Sequence, residues 1–181
     1  MASSHDLLPI EARGISVSLD RSMHAASLRY FDSDGSFARQ VRASIGAPLP
    51  DRLCATLTPS SGESVMAWRS PTETLLLCAD EALLKKLESD LASCADGCVV
   101  VQTGGARVLR ASGARIAALI DRIGGQGVLP ALGEARRSRL ADIAVLAIQV
   151  QRDDMLLVVE RVYAEHLMDW IRVTAADLES Q

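Results

Sequence analysis

The chain has no apolar run approaching the ~18 residues that suggest a membrane span, no excess of positive charge, no dense set of cysteines and no familiar catalytic motif. Each absence excludes something. Met1 to Asp6 lacks the basic start and apolar core of a secretory signal, so a soluble, cytoplasmic protein is expected. With 19 Lys and Arg against 23 Asp and Glu, the net charge is -4. Binding to nucleic acid rests on accumulated cations, so nucleic acid is not expected as a main partner. The local cluster Arg136, Arg137 and Arg139 reads as a solvated face before it reads as an anion site. Four cysteines give neither a disulfide framework nor a CxxC pair. Cys78 lies in an apolar run and reads as a small core residue. Cys94 and Cys98 flank the turn-like Ala95-Asp96-Gly97, with no histidine nearby to complete a metal site.

Catalysis needs a nucleophile with its base, paired carboxylates, a metal shell or a cofactor cradle, and none is spelled convincingly. His5 falls in a lead-in, His24 near a turn, and His166 beside Leu167 on the last helix, a boundary position. Gly124-Gly125-Gln126-Gly127 has the composition of a phosphate loop but follows a helix instead of opening one, so it reads as a C-cap. Ser61-Gly62-Glu63-Ser64-Val65 lacks the flanking glycines of a nucleophile elbow. Asp153-Asp154 stands at a hairpin tip, where Asp favours turn geometry. No catalytic and no metal-binding residue is expected. The polar groups left as pocket candidates are Arg110, Glu160 and Arg161, and a guanidinium where a buried strand meets a helix reads first as an anchor for carbonyls or a carboxylate.

What the chain does have is patterning. Ile143 to Val150 and Met155 to Val159 are apolar on both faces, with Gln151-Arg152-Asp153-Asp154 between them, which spells a hairpin of two buried strands. After Arg161 the period turns helical, with Tyr163, Leu167, Trp170 and Ile171 on one side. The same plan stands earlier: Val65 to Trp68, a turn through Pro71, Thr74 to Cys78, then a helix from Glu81. The implied period of roughly 80 residues exceeds that of solenoids and reads as a duplicated half-domain. Ile15 to Leu19 reads as a strand with Ala26 to Phe31 as its partner. A helix follows, with Ser36 as N-cap, Phe37, Val41 and Ile45 on one face, and Gly46 at its end. Leu53 to Leu57 is a short strand among Pro48, Pro50 and Pro59. Asp80 caps a helix with a stripe of Leu83, Leu84, Leu87 and Leu91, and Glu81 faces Lys85 one turn on. Val99 to Gln102, Gly104-Gly105 and Arg107 to Ala111 read as a further hairpin. Ser112 then caps a helix bearing Ile116, Leu119, Ile120 and Ile123. Short links suit antiparallel sheets, so the expected fold is α+β, hairpin-helix-hairpin-helix spelled twice. The expected organisation is a lead-in over 1–13, one domain over 14–174 with halves 14–97 and 98–174, and a tail over 175–181.

Taken together, Ile45 to Pro50, Ala67 to Leu76, Val99 to Ser112 and Leu157 to Trp170 resemble the gamma subunit of heterotetrameric sarcosine oxidase, by their order and spacing over about Ala26 to Ile171. The resemblance implies a fold related to the folate-binding domain of the glycine-cleavage aminomethyltransferases. It also implies an assembly role beside larger subunits in the oxidative demethylation of sarcosine or a related N-methyl amino acid. FAD, FMN, NAD and tetrahydrofolate then belong to the complex, with no cofactor expected on this chain. Two departures mark a divergent member. Arg69-Ser70-Pro71-Thr72-Glu73-Thr74 replaces the family's Gly-Pro-Asp-Glu turn and second tryptophan, and Val99-Val100-Val101-Gln102-Thr103 replaces Val-Asp-Val-Ser, losing an aspartate. The alternatives are a stand-alone folate or small-molecule binding protein of the same fold, and a self-associating structural domain, a homo-oligomer when isolated.

Overall fold

Strands that are apolar on both faces need cover on both faces, and the tertiary structure supplies it with four layers. The computed structural model describes residues 7–57, 64–102, 104–125 and 127–180. In chain order the elements are β1 (Ile10–Ala12), β2 (Ile15–Leu19), β3 (His24–Tyr30), α1 (Ser36–Ile45), β4 (Ala55–Leu57), β5 (Ser64–Ser70), β6 (Glu73–Cys78), α2 (Glu81–Asp90), β7 (Gly97–Val101), β8 (Ala106–Ser112), α3 (Ile116–Gly124), β9 (Ala135–Leu140), β10 (Ile143–Gln151), β11 (Asp154–Glu160) and α4 (Arg161–Glu179). One sheet has the order β1-β2-β8-β11-β10-β9 and the other β4-β5-β6-β3-β7. All strand pairs among the described residues are antiparallel. Phe37, Val41, Ile45, Leu84 and Leu87 cover the outer face of the five-stranded sheet. Ile116, Leu119, Leu167, Ile171 and Leu178 cover that of the six-stranded sheet. Val65, Leu75 and Leu77 meet Val108, Leu146 and Val158 between the sheets. The fold is α+β, as the periodicity suggests.

The duplication extends to register. The strand order β4-β5-β6-β3-β7 recurs as β9-β10-β11-β8-β2. Val65 pairs with Leu77, and Leu146 with Val158, the same displacement in both members. Each hairpin also breaks register at the corresponding place, at Arg69 between Trp68 and Ser70 and at Val150 between Gln149 and Gln151. A bulge repeated at one position is a conserved bend, not a local defect.

Several expectations are corrected. Ala26 to Phe31 is not the partner of Ile15 to Leu19: β2 pairs with β1 and β8, whereas β3 pairs with β6 and β7 in the other sheet. Likewise Val99 to Gln102 and Arg107 to Ala111 form no hairpin, because each already has its neighbours in a different sheet; the glycine pair carries the chain across. Arg136, Arg137 and Arg139 keep the expected solvated face, with Arg137 and Arg139 exposed, and that face belongs to a strand, β9. Residues 10–12, read as lead-in, form β1. The last helix runs on to Glu179, with Ala175 and Leu178 buried, where a tail was expected from 175. Its inner face is Ala164, Leu167, Met168 and Ile171, while Tyr163 and Trp170 are about half exposed. Ser112 ends β8, and Arg115 occupies the N-cap of α3 with no side-chain cap bond. Asp80 does cap α2, accepting from the Ala82 and Leu83 amides, and Glu81 pairs with Lys85 at 3.1 Å. His5, Pro59, Ser61 to Glu63, Thr103 and Gln126 lie outside the described residues.

The α1 terminus shows a cap that no local pattern could announce. Ser36 is the first helical residue, the N-cap is Gly35, and neither caps through a side chain. Asp96, sixty residues on, accepts from the Ser36 hydroxyl at 2.7 Å and from the Phe37 amide at 3.1 Å. These bonds, the Ser36 hydroxyl first and the Phe37 amide next, hold its carboxyl below the usual carboxylate range. A depressed folded-state pKa contributes stability above the unfolded value and loses it as pH falls through the folded value. Asp96→Asn should therefore lower the thermal midpoint near neutral pH and flatten its decline below about pH 4; parallel acid profiles for the two proteins would refute this.

Candidate functional site

At one end of the inter-sheet layer the alternation that buries Leu75 and Leu77 brings polar side chains into the same space. Ser27 is fully buried. Its hydroxyl donates to Glu73 Oε1 at 2.7 Å and accepts from Gln102 Nε2 at 2.6 Å. Arg69 donates to the same Glu73 oxygen at 3.1 Å, with Arg29 Nε at 3.8 Å. One carboxylate thus joins β3, β5 and β6, and Gln102 ties in the crossing between the sheets. Such a mostly satisfied network orients its members and resists loss of any one of them.

Beside this network is a cleft of about 700 Å³, lined from one sheet by Arg69, Leu75 and Gln102 and from the other by Arg137, Arg139, Leu146, Val158 and Glu160. The floor is apolar and the rim is cationic with one carboxylate. Arg137 and Arg139 reach it together because strand period two puts them on one face of β9. Its volume lies in the range of small-molecule sites, roughly 300–1,000 Å³. What it can do chemically is hold a ligand with an apolar body and an anionic group. It contains no nucleophile-base pair, and among the described residues no group of His, Cys, Asp and Glu could hold a metal ion. Cys78 is buried, its thiol 3.0 Å from the Asp80 carbonyl oxygen. Burial pushes that thiol up, so it stays protonated near neutral pH.

The three pocket candidates do not converge. Glu160 lies on the cleft rim at the end of β11. Arg161 opens α4, its amide bonded to the Gly105 carbonyl at 2.9 Å. Its side chain belongs to a cationic group with Arg107 and Arg21: burial first, then the charges of Arg161 and Arg21, pushes Arg107 below the ordinary value. Arg110 is four pairs along the same ladder, opposite Leu156, while Ala106 is opposite Glu160. Arg110 forms a two-nitrogen pair with Asp154, 2.8 Å at its shortest. Sequence reasoning missed Arg69 and Gln102 as lining residues, and it gave Arg137 an anion-site role only as its second reading. The alternating arginines of β9 carried a signal, period two, that was hidden by reading them as a charge run.

Comparison with known proteins follows from this geometry. The family model described as "Sarcosine oxidase, gamma subunit family" matches residues 29–177. No curated protein matches the sequence. Among solved structures, the chain is similar to one from the heterotetrameric sarcosine oxidase of Corynebacterium sp. U-96, at 18% identity and a TM-score of 0.82, covering 99% of this chain and 93% of that one. It is also similar to the glycine cleavage system aminomethyltransferase T from Bartonella henselae, at 11% identity and a TM-score of 0.66, covering 88% of this chain and 46% of that one.

Proposed function

From the premise that this chain belongs to the sarcosine oxidase gamma-subunit family, matched over residues 29–177, we propose that it is the gamma-type subunit of a heteromeric sarcosine oxidase, with an assembly role and no catalytic residue of its own. The family match carries the reading. The surface supports it: Val162, Tyr163, Trp170 and Val173 are exposed along one flank of α4, with Val162 76% exposed. Helical spacing places them together, and contiguous exposed apolar groups of this kind mark contact surfaces. Redox cofactors and substrate then belong to the larger subunits. No helix among the described residues is long and apolar enough to cross a membrane.

The test is reconstitution of the purified chain with the larger subunits expressed from the same source. Co-elution at one complex size, with flavin absorbance and sarcosine turnover that both survive Glu160→Gln, is the expected result. A chain that stays monodisperse alone and never joins those subunits would sink the proposal. The cleft favours a second reading, small-molecule binding, with Arg137 as an anion contact. Calorimetric titration with tetrahydrofolate would then give a saturable heat that weakens about tenfold or more in Arg137→Ala, about 1.4 kcal/mol. No heat with the wild-type chain would remove this reading for folate.

A further inference from the structure

Among the described residues the strand orders of the two sheets differ in one respect: β1 pairs with the outer edge of β2, and no strand pairs with the corresponding edge of β7. Equivalence of the two edges is set by register. Ala25 pairs with Leu77 as Val108 pairs with Val158, which matches β3 to β8 and carries Val99, two pairs into β7, onto Val17 of β2. Both are buried, while Val100, at the place of Ser18, is 38% exposed. The backbone agrees. Phe31 N donates to Asp96 O and Gln102 N to Ala25 O, so Cys98 and Val100 exchange their bonds with β3, and Gly97, Val99 and Val101 aim N–H and C=O outward. In β2 it is Ile15 and Val17, the matching residues, that pair with Ala12 and Ile10 of β1.

Among the described residues the remaining edges are guarded and this one is not. β1 is three residues long and contains Glu11. β9 carries three arginines. β4 is three residues long, and Ala55 N is bonded across to the Gly133 carbonyl at 2.7 Å, on the other sheet's side. β7 reads Gly-Cys-Val-Val-Val over five residues with no charge and no proline, and Phe31, 85% exposed, stands at its Asp96 end. Soluble proteins avoid a bare apolar edge unless a strand occupies it.

We propose that β7 accepts an extended, uncharged segment of one of the larger oxidase subunits as an antiparallel sixth strand, in the place that β1 fills in the sister sheet. This rests on the subunit reading above. Within the complex, the occupant's backbone meets Gly97, Val99 and Val101, and its apolar side chains lie beside Val100 and Phe31. Hydrogen exchange of the isolated chain and of the reconstituted complex tests it. In the isolated chain the Val99 and Val101 amides exchange fast and those of Cys98 and Val100 slowly. In the complex Val99 and Val101 slow by on the order of a hundredfold or more. Val101→Pro removes an outward N–H and is compatible with an edge strand; its side chain packs only partly buried against the core, so the variant keeps the wild-type circular dichroism and a cooperative melt but fails to join the larger subunits. Val100→Lys, a charged guard on the same edge, serves as the second variant. If the wild type assembles while Val99 and Val101 stay fast and both variants assemble equally, the strand proposal is wrong and the subunit reading stands. If the wild type never assembles, both fall. Protection in the isolated wild type that depends on concentration and vanishes in Val101→Pro would assign the edge to a second copy and overturn the proposal.

Discussion

Gly113→Ala is expected to destabilise the chain by about 3 kcal/mol or more, because two separate penalties coincide there. Gly113 has φ +117, which L side chains rarely adopt, and a Cβ would sit 2.3 Å from the Gly14 carbonyl oxygen and 2.7 Å from its carbonyl carbon. Those atoms are backbone and are held: Gly14 O accepts from Arg115 N at 2.9 Å, and Gly113 N donates to Asp153 O at 2.8 Å. Relief requires moving the β1-β2 turn away from the start of α3. At about 2–4 °C per kcal/mol for a chain of this size, the thermal midpoint should fall by roughly 6–12 °C. Gly125→Ala separates the penalties, since Gly125 has φ +79 but nothing within 4 Å of the added carbon; its cost should stay near 1 kcal/mol. Equal effects at the two positions would show that steric approach contributes nothing.

Leu157→Ala should cost about 2–5 kcal/mol, the range for a leucine removed from a core that cannot collapse around the gap. Leu157 is fully buried in the core beneath α3 and α4, between Leu109 and Ala147 on the flanking strands. Its counterpart in the duplicated hairpin is Leu76, fully buried beneath α1 and α2 between Ala26 and Met66, and Leu76→Ala should cost about as much. Leu157→Ile keeps the volume and should lose less than about 1.5 kcal/mol. Urea unfolding measures all three. We propose that the two halves behave as one domain, since a third apolar layer joins the sheets; a single transition is expected for every variant, and two separated transitions would contradict this.

The parts of the fold visible in the sequence are those where neighbours in the chain are neighbours in space. The hairpins Ser64–Ser70 with Glu73–Cys78 and Ile143–Gln151 with Asp154–Glu160 are local pairs with polar turns, and the helices carry their own period. β9 escaped because its turn into β10 is built from Ala141 and Asp142, both at positive φ, without the glycine that usually marks such a turn. β1 escaped because three residues are too few to show a period. Of the cleft, only Glu160 and the arginines of β9 were noticed, the latter as a charge run. Arg69 and Arg137 come from strands of different sheets and Gln102 from the crossing that follows β7, and no spacing along the chain encodes their meeting.

The sequence by itself determined the α+β class, the twofold plan, two of the hairpins and the family, since each depends on local periodicity or on residue order. The tertiary structure alone decided which sheet each strand enters, that Asp96 caps α1, that Tyr163 and Trp170 face outward, and that no strand among the described residues pairs with the outer edge of β7. The physical reason is common to all four. Which edge of a strand is paired, which face of a helix is covered and which group meets a helix terminus all depend on partners distant in the chain, so each choice is fixed only when the layers assemble.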